Sequence, residues 1–382
     1  MKITIALGAF LPVPPTMGGA VEKMWYALAQ EFARRGHDVV MISRQMPGQQ
    51  RDETADGIRH LRVSGFDTPR SLIWLKFLDL IYSFRVRAIL PAADLLVTNA
   101  FWLPMLVRDK TRGKIYMHVG RYPKGQMRLY RRAARLQAPS TSVARAIASE
   151  APQLAAKVSV VPYPAPGSAS SEVGPIADRQ KIILYVGRVH PEKGVHLLVE
   201  AFVRGTRAAF SEWKLMIVGP TEGKFGGGGS EYSSALERSA AESNGRVIFA
   251  GSIFDPTALE KTFRSARLFV YPSLAERGES FGLAPLEAMT HGCGVLVSKL
   301  DCFGDFIRDD ETGFVFDHRS DNPARSLREK IEAVVADEAS LARVAAAGRA
   351  KSAEYSLPRV ADRFIADFSS LTHNTDARNP NR

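Results

Sequence analysis

Short apolar strand patterns alternate with helical patterns along both halves of this chain, and this alternation constrains the fold most strongly. In the first half, Lys2–Leu7 is an apolar, β-rich run that is followed by a loop of prolines and glycines. Ala20–Arg35 then has helical periodicity that ends at Gly36, before a new strand pattern at Asp38–Ser43. The order strand, glycine loop, helix, strand predicts the opening of a parallel, doubly wound sheet.

The same alternation returns after Tyr163–Asp178, a stretch rich in Pro, Gly and Ser that is typical of an interdomain linker. Further strands of the first half are predicted at Leu95–Thr98, Lys114–His118 and Val158–Val161. The strands and helices predicted for the second half are Lys181–Val186, Val195–Arg204, Lys214–Val218, Ser233–Ser243, Val247–Ala250, Pro256–Arg264, Leu268–Tyr271, Leu283–Thr290 and Val295–Ser298.

A chain of 382 residues exceeds the usual length of one domain, so two domains are expected. We predict a first domain at 1–166 and a second at 175–357, each a Rossmann-like α/β/α unit, facing each other across a cleft. A last helix at about 358–372 is expected to pack back on the first domain. The polar tail 373–382 is expected to be disordered.

Composition excludes several classes of protein. Apolar residues make up 45% and charged residues 24%, which is ordinary for a globular chain. The two cysteines, Cys293 and Cys302, have no zinc-type spacing, so a reducing compartment is favoured over a disulfide framework or zinc site. The most apolar long stretch, Ser71–Leu90, contains four charged residues and is disqualified as a membrane span. The N-terminal run is too short for a signal peptide, and a cytoplasmic protein is expected.

The net charge of +11 is unevenly distributed. Residues 1–166 hold 24 Lys and Arg against 11 Asp and Glu, whereas the remainder holds 27 against 29. An excess confined to one half suggests an anionic partner for it, which can be a phosphorylated small molecule, a membrane surface or nucleic acid. A solubilising basic face is the alternative.

Two glutamates flank a Phe-Gly loop ahead of a predicted helix. In the segment ERGESFGLAPLE, seven residues separate Glu279 from Glu287, and the helical pattern starts near Leu283. Glu287 therefore lies about one turn into the helix, and the amides around Phe281 and Gly282 would form an anion-binding helix start. A glutamate in a first helical turn is also a common stabiliser, but the pair of acids favours a functional site.

This segment resembles the E-x7-E signature of the family 4 glycosyltransferases, retaining sugar transferases of the GT-B fold. Other segments are similar to the family's motifs and occur in the family's order: GGAVEKMWYALAQEFARRGHDVVMIS, VGRVHPEKGVHLLVEAF, VIFAGSI with LEKTFRSARLFVYPS, and FIRDDETGFVF. The resemblance covers most of the chain. It implies that the first domain binds the acceptor and the second binds the nucleotide sugar.

The resemblance also implies roles for individual residues. Arg188 and Lys193 would clamp the donor diphosphate and neutralise charge on the leaving group. Glu287 would hold the ribose hydroxyls, Glu279 would hold the transferred sugar, and His118 would lie beside that sugar.

Four further residues complete the predicted donor site through their backbones: Gly18, Gly19, Phe281 and Gly282. Glycines allow the main chain to approach a phosphate closely at a helix start. No DxD-type metal motif lies in a suitable place, so the site is expected to hold no metal and to need no cofactor beyond its donor substrate. That donor is a UDP-, GDP- or ADP-sugar, and the sequence does not decide the base.

The acceptor side is predicted from basic and aromatic residues. If the segment after Tyr122 is helical, a basic stripe at i, i+3, i+4 and i+7 consists of Arg128, Arg131, Arg132 and Arg135. An aromatic segment around Trp74, Phe77 and Tyr82 precedes it. Together they would bind a phosphorylated acceptor or contact an anionic lipid surface, or they are a core-packed helix beside a solvated one.

The sequence therefore predicts a retaining, metal-independent glycosyltransferase of surface polysaccharide, lipopolysaccharide or glycolipid assembly. We expect an anionic or lipid-linked acceptor and peripheral contact with the anionic inner face of the membrane. Two alternatives stay open. A sugar-nucleotide epimerase or hydrolase can share the architecture, whereas a basic nucleic-acid-binding protein would lack the usual RNA- and DNA-reading motifs, so no nucleic-acid partner is expected.

Overall fold

The chain forms two compact units in a computed structural model that describes residues 1–17, 19–167 and 173–372. The first unit comprises Met1–Pro164 together with the chain from Leu357 onward, and the second comprises Ala165–Ser356. The division falls just before the boundary expected at 166, inside the predicted linker. The tail 373–382 lies outside the described residues.

Strands and helices alternate through both units. The strands are β1 Lys2–Ala6, β2 Asp38–Gln45, β3 Asp52–Ala55, β4 Ile58–Ser64, β5 Leu95–Thr98, β6 Lys114–His118, β7 Arg135–Ala138, β8 Val158–Val160, β9 Gln180–Val186, β10 Lys214–Val218, β11 Val247–Gly251, β12 Ala266–Tyr271, β13 Gly294–Ser298 and β14 Phe314–Phe316. The helices are α1 Ala20–Arg34, α2 Leu72–Ile89, α3 Leu103–Leu106, α4 Thr141–Glu150, α5 Val195–Val203, α6 Arg207–Phe210, α7 Gly229–Ala240, α8 Pro256–Ser265, α9 Leu283–Thr290, α10 Pro323–Ala336, α11 Glu338–Ser352 and α12 Leu357–Thr372.

The first unit is built on an eight-stranded sheet in the order β3-β4-β2-β1-β5-β6-β7-β8. Its strands run parallel except for β3, which pairs antiparallel with β4. The strands predicted from apolar runs are confirmed, but the β3–β4 hairpin was not predicted. The reason is that β3 is a polar, largely exposed edge strand, and only the Asp56–Gly57 turn, where both residues have positive φ, marks it in the sequence.

The second unit is built on a parallel six-stranded sheet in the order β11-β10-β9-β12-β13-β14. Every strand and helix predicted between residues 181 and 298 is present, with ends within four residues of the prediction. These strands are near-continuous apolar runs because helices cover both faces of a parallel sheet. Their pattern is therefore strong enough to be found without the structure.

The structure corrects the prediction of a helical basic stripe formed by Arg128, Arg131, Arg132 and Arg135. The segment contains only a single 3₁₀ turn at Met127–Tyr130, and Arg135 is already the first residue of β7. The Arg135 Nε lies 2.9 Å from Asp367 Oδ1, so this arginine is used within the fold. The other three side chains are exposed but do not line one face of a helix.

The aromatic segment predicted to lie beside that stripe is the helix α2. Asp79, Tyr82, Ser83 and Val86 form its buried side, so Tyr82 belongs to the core and not to a contact surface. Trp74 and Phe77 are exposed. Among the described residues, no helix is both long enough and apolar enough to cross a membrane.

The C-terminal helix α12 is fastened to the first unit by aromatic packing and by one acid. Phe364 and Phe368 pack against rings of α1 and β6, with the Phe368 and Tyr116 ring centroids 4.8 Å apart. Asp367 Oδ2 accepts hydrogen bonds from Tyr116 Oη at 2.8 Å and Ser159 Oγ at 2.6 Å, while Oδ1 faces Arg135. This carboxylate therefore ties α12 to β6, β7 and β8 at once.

We predict that Asp367→Ala destabilises the first unit by about 2–4 kcal/mol, because it leaves a buried phenol and a largely buried guanidinium without their acceptor. Asp362→Ala on the same helix removes an acid that is 67% exposed and pairs with Arg35, so it should cost less than about 1 kcal/mol. Differential scanning calorimetry measures both. Equal shifts of the melting temperature would contradict the prediction.

Candidate active site

The sheet of the second unit has one topological switch point, between β9 and β12. The chain starts at β9, adds β10 and β11 on one side, and then returns to add β12, β13 and β14 on the other side. Connections leave the two central strands in opposite directions, which opens a crevice at their carboxyl ends where ligands of such sheets bind. Arg188 and Lys193 follow β9, and Glu279 follows β12. The predicted residues therefore meet at this crevice.

Lys193 and Glu279 form a nearly buried ion pair at the switch point. Lys193 Nζ lies 2.6 Å from Glu279 Oε2, and the two side chains are 6% and 12% exposed. Tyr271 Oη and Ser273 Oγ each lie 3.3 Å from the same carboxylate oxygen and donate to it. Burial and the Glu279 carboxylate hold the pKa of Tyr271 well above its usual value, so its phenol stays protonated as a donor.

A glycine fixes the position of Lys193. Pro191–Lys193 forms a 3₁₀ turn that ends at Gly194, which has φ of 66° and begins α5. A Cβ at Gly194 would lie 2.0 Å from the Pro272 carbonyl oxygen, so no other residue fits without displacing the backbone after β12. The turn after β9 is thus packed directly on the turn after β12.

Hydrogen bonds in the loop after β12 hold Glu279. Leu274 N donates to Glu192 O at 2.8 Å, and Ser298 Oγ donates to Ser273 O at 2.6 Å. The Glu279 amide donates to Ala275 O at 3.0 Å, which folds the loop back toward Lys193. The carboxylate is therefore placed by neighbours on β13 and on the turn after β9, and not by its own loop alone.

Arg188 lies at the rim of the same crevice and is about half exposed. Its guanidinium pairs with Glu192 at 2.7 Å and donates to Gly226 O at 2.9 Å. The glycine run that follows β10 leaves room for this contact, since a Cβ at Gly226, where φ is 80°, would lie 3.0 Å from Arg188 Cδ. Arg188 is thus held beside the Lys193 turn with its charge accessible to solvent.

The Phe-Gly loop supplies backbone and not side chains. Phe281 is buried against Phe306, with ring centroids 5.5 Å apart, so only its main chain remains available to a ligand. Gly282 begins α9 with φ of 93°, and a Cβ there would lie 2.5 Å from the Phe303 ring. Glu287 is half-buried on α9, about one turn in, as the sequence predicted.

The first unit has its own switch point, between β1 and β5, and Gly19 lies near it at the start of α1. Gly19 has φ of 90°, and a Cβ there would lie 2.2 Å from Glu22 Oε2. Burial raises the pKa of Glu22, against the opposing effects of its own amide and of Arg121. Gly18 lies outside the described residues.

His118 ends β6 and is buried in the first unit. Gln137 Nε2 donates to Val161 O, so Gln137 Oε1 faces His118 and accepts from Nδ1. The remaining nitrogen, Nε2, is therefore the acceptor and faces Tyr163 Oη at 3.4 Å. Burial lowers the pKa of His118 to about 4, so the ring is neutral near pH 7.

Two family models match the chain, and together they span most of it. A model described as "Glycosyl transferase 4-like domain" matches residues 19–164, and one described as "Glycosyl transferases group 1" matches residues 168–351. The first match covers most of the first unit and the second covers most of the second unit.

The chain belongs to the glycosyltransferases. Among its relatives is the lipopolysaccharide 1,2-N-acetylglucosaminetransferase of Salmonella typhimurium, 34% identical over 139 residues, which cover 36% of this chain and 35% of that protein. Another is the phosphatidyl-myo-inositol mannosyltransferase of Mycobacterium tuberculosis, 28% identical over 193 residues, covering 50% and 47%. This glycosyltransferase thus spans between a third and a half of the length of these curated relatives.

Solved structures identify the fold of this glycosyltransferase as GT-B. Sucrose-phosphate synthase from Thermosynechococcus elongatus superposes with a TM-score of 0.78 at 19% identity, covering 98% of this chain and all of that one. HepE from Anabaena, crystallised with UDP and glucose, superposes with a TM-score of 0.70 at 16% identity, covering 97% and 100%. The predicted fold class is therefore confirmed.

Several residues of this glycosyltransferase were not predicted from the sequence. For Tyr271 and Ser273 the sequence contains a signal that could have identified them, since both are polar side chains within two residues of the end of β12. Glu22 lies three residues after Gly19, the N-cap of α1, and a glutamate at that position is an ordinary feature of helix capping. Gln137, which sets the His118 tautomer, lies inside a short strand and has no sequence signal that marks it.

We predict that His118 makes the stability of this glycosyltransferase fall in acid. The unfolded histidine binds a proton near pH 6.5 but the folded one only near pH 4, so its contribution is complete above pH 6.5 and is lost toward pH 4. By pH 5 this loss is about 2 kcal/mol. The test compares the melting temperatures of wild type and His118→Gln at pH 7.5 and about pH 5, because all other groups titrate in both proteins. An equal fall in melting temperature in the two proteins would contradict the prediction.

Proposed function

We propose that this chain is a retaining, metal-independent glycosyltransferase that moves a sugar from a nucleoside-diphosphate-sugar donor to an acceptor hydroxyl. The observation that carries the proposal is the Lys193–Glu279 pair at the switch point of the second sheet, with Arg188 beside it. A cation for the diphosphate and a carboxylate for sugar hydroxyls are thereby held side by side. Similarity to HepE, a protein crystallised with UDP and glucose, supports the donor class.

The ion pair would fix the positions of Lys193 and Glu279 in the donor site before any ligand binds. Lys193 has only limited freedom because the Gly194 turn is packed on the Pro272 carbonyl. A diphosphate oxygen would accept from Lys193 while Glu279 keeps its bonds to Tyr271 and Ser273. Glu279 would then accept from hydroxyls of the transferred sugar and Glu287 from those of the ribose. Such preorganised charge does not have to be reorganised during the reaction.

The proposed reaction is a front-face displacement at the anomeric carbon. The bond from this carbon to the diphosphate oxygen breaks with its electron pair, and the acceptor oxygen forms its bond on the same face. The acceptor proton passes to the departing diphosphate. Lys193 and Arg188 lower the barrier by neutralising the charge that develops on the leaving group, which is the role a metal ion has in other transferases. His118, Gly18, Gly19 and the amides near Gly282 remain proposed donor contacts.

The proposed acceptor is anionic or lipid-linked, and we place the reaction in surface polysaccharide, lipopolysaccharide or glycolipid assembly. Residues 1–166 hold 24 Lys and Arg against 11 Asp and Glu, a field that a neutral soluble sugar would not need. The named activities of two relatives, on lipopolysaccharide and on phosphatidyl-myo-inositol, support this class. Peripheral contact with an anionic membrane would bring the protein to such an acceptor.

Donor binding tests the site. We expect UDP, GDP or ADP to bind, and Arg188→Gln and Lys193→Met each to weaken binding at least about tenfold, since a charge-assisted hydrogen bond contributes about 1.5–3 kcal/mol. Lys181→Met is the matched control, because Lys181 lies near the opposite end of β9 and pairs with Glu212 on the surface. Isothermal titration calorimetry measures all three.

The Arg188→Gln variant distinguishes lost binding from a folding defect, because removing this half-exposed guanidinium leaves no buried charge unpaired. Failure of all three diphosphates to bind would overturn the proposal. So would unchanged affinity in both site variants, or an equal loss in Lys181→Met.

The stereochemical course and the metal requirement are tested with water as a slow acceptor. We expect the sugar first released from an α-linked sugar nucleotide to be the α anomer, detected by proton NMR before it equilibrates, at a rate that EDTA does not change. Release of the β anomer would make the enzyme inverting, and loss of activity in EDTA would require a metal. Rapid release or an epimerised donor without acceptor would favour the hydrolase or epimerase.

A further inference from the structure

The helix α2 is apolar on the side that faces away from its own unit. Its buried side is formed by Asp79, Tyr82, Ser83 and Val86, which pack into the core of the first unit. The opposite side is formed by residues spaced at helical intervals: Ile73, Phe77, Phe84 and Ala88. Ile73 is 82% exposed, and Phe77 and Phe84 are each 49% exposed. A surface helix normally has polar residues here.

The exposed apolar side of α2 also includes Trp74, which follows Ile73 and is 58% exposed. Its ring packs edge-on against Phe77, with the ring centroids 5.5 Å apart. The row from Ile73 to Ala88 therefore extends over most of the 18-residue helix. Contiguous apolar patches of this kind on soluble proteins mark a surface that contacts a partner or a membrane.

Local contacts fix α2 in this orientation. Asp79 accepts hydrogen bonds from the amides of Phe101 and Trp102, each at 3.1 Å. Trp102 Nε1 donates to Lys76 O at 2.8 Å, and Lys76 Nζ lies 4.8 Å from the centre of the Phe101 ring. Asp79 is thus fixed on the buried side, and turning the apolar row of α2 inward would leave its carboxylate without these partners.

A basic depression lies at the C-terminal end of α2. It has a volume of about 380 Å³, and its walls are Phe84, Arg87, Ala88, Leu90, Val107, Arg108, Asp109 and Arg112. Arg112 Nε lies 3.3 Å from Asp109, whereas Arg87 and Arg108 are exposed and form no ion pair within the described residues. Three guanidinium groups against one carboxylate, beside apolar walls, match a phosphate attached to a hydrocarbon chain.

We propose that the outer side of α2 rests in the interfacial layer of an anionic membrane, with the depression of Arg87, Arg108 and Arg112 binding the phosphate of an anionic lipid. This rests on the proposed function only in naming the membrane as the place of the acceptor. An apolar row flanked by Lys76 and Arg87 is the pattern of an interfacial helix. A second copy would bring the same basic surface against itself, whereas an anionic bilayer complements it.

Co-sedimentation with vesicles tests the proposal, with phosphatidylcholine alone against phosphatidylcholine mixed with phosphatidylglycerol, at low and high salt. We expect wild type to prefer the anionic vesicles, and Phe77→Glu to weaken binding at least about tenfold. Arg87→Glu with Arg108→Glu should abolish the preference. The matched control is Arg128→Glu with Arg132→Glu, the same charge change at exposed arginines of the same unit, which should alter binding less than about twofold.

Equal, negligible binding to both vesicles would overturn the proposal, as would equal losses in the two arginine pairs. A dimer in gel filtration that Phe77→Glu dissociates would instead identify a second copy as the occupant. Displacement from the vesicles by inorganic phosphate would show that the depression binds free phosphate and not a lipid headgroup. Since the assay needs no donor, its failure would leave the proposed sugar transfer untouched, and diphosphate binding by the same variants checks that they are folded.

Discussion

The buried pair of Lys193 and Glu279 is the interaction on which the rest of the site depends. Two charges removed from water are stable only where their remaining hydrogen-bonding capacity is used, and here Tyr271 and Ser273 serve the carboxylate. Those partners are in place because the turn after β9 packs on the turn after β12, at a contact that only Gly194 permits. The parallel order of the sheet, which makes β9 and β12 neighbours, is what brings these turns together.

The first unit solves a similar problem with different chemistry. At the carboxyl ends of its strands, His118 is neutral and is oriented by Gln137, and the carboxyl of Glu22 is buried over Gly19. His118 is thus again held by a residue of another strand, β7. The unit is completed by α12, whose Asp367 joins three strands, so residues from both ends of the chain form the unit that holds the excess positive charge.

That charge and the apolar row of α2 lie on the same unit, whereas the candidate donor residues Arg188, Lys193, Glu279 and Glu287 belong to the other. The proposed transfer from a nucleotide sugar to a membrane-borne acceptor would use these two different surfaces for its two substrates. Residues 167–382, which hold 27 Lys and Arg against 29 Asp and Glu, are close to neutral. The two halves of the sequence already differ in net charge, but only the fold decides which of their side chains are exposed.

The sequence alone determined the alternation of strands and helices, the place of the domain division and the turns that carry Arg188, Lys193 and Glu279, because buried parallel strands and glycine-bounded turns leave strong local patterns. Tertiary structure decided the rest. Nothing local distinguishes an arginine on a helical stripe from Arg135, which opens a strand and pairs with Asp367 from the far end of the chain. Likewise, Tyr82 and Phe77 read alike in the sequence, and only packing buries one and exposes the other. Periodicity is a local property, whereas burial and partner choice depend on residues distant in sequence.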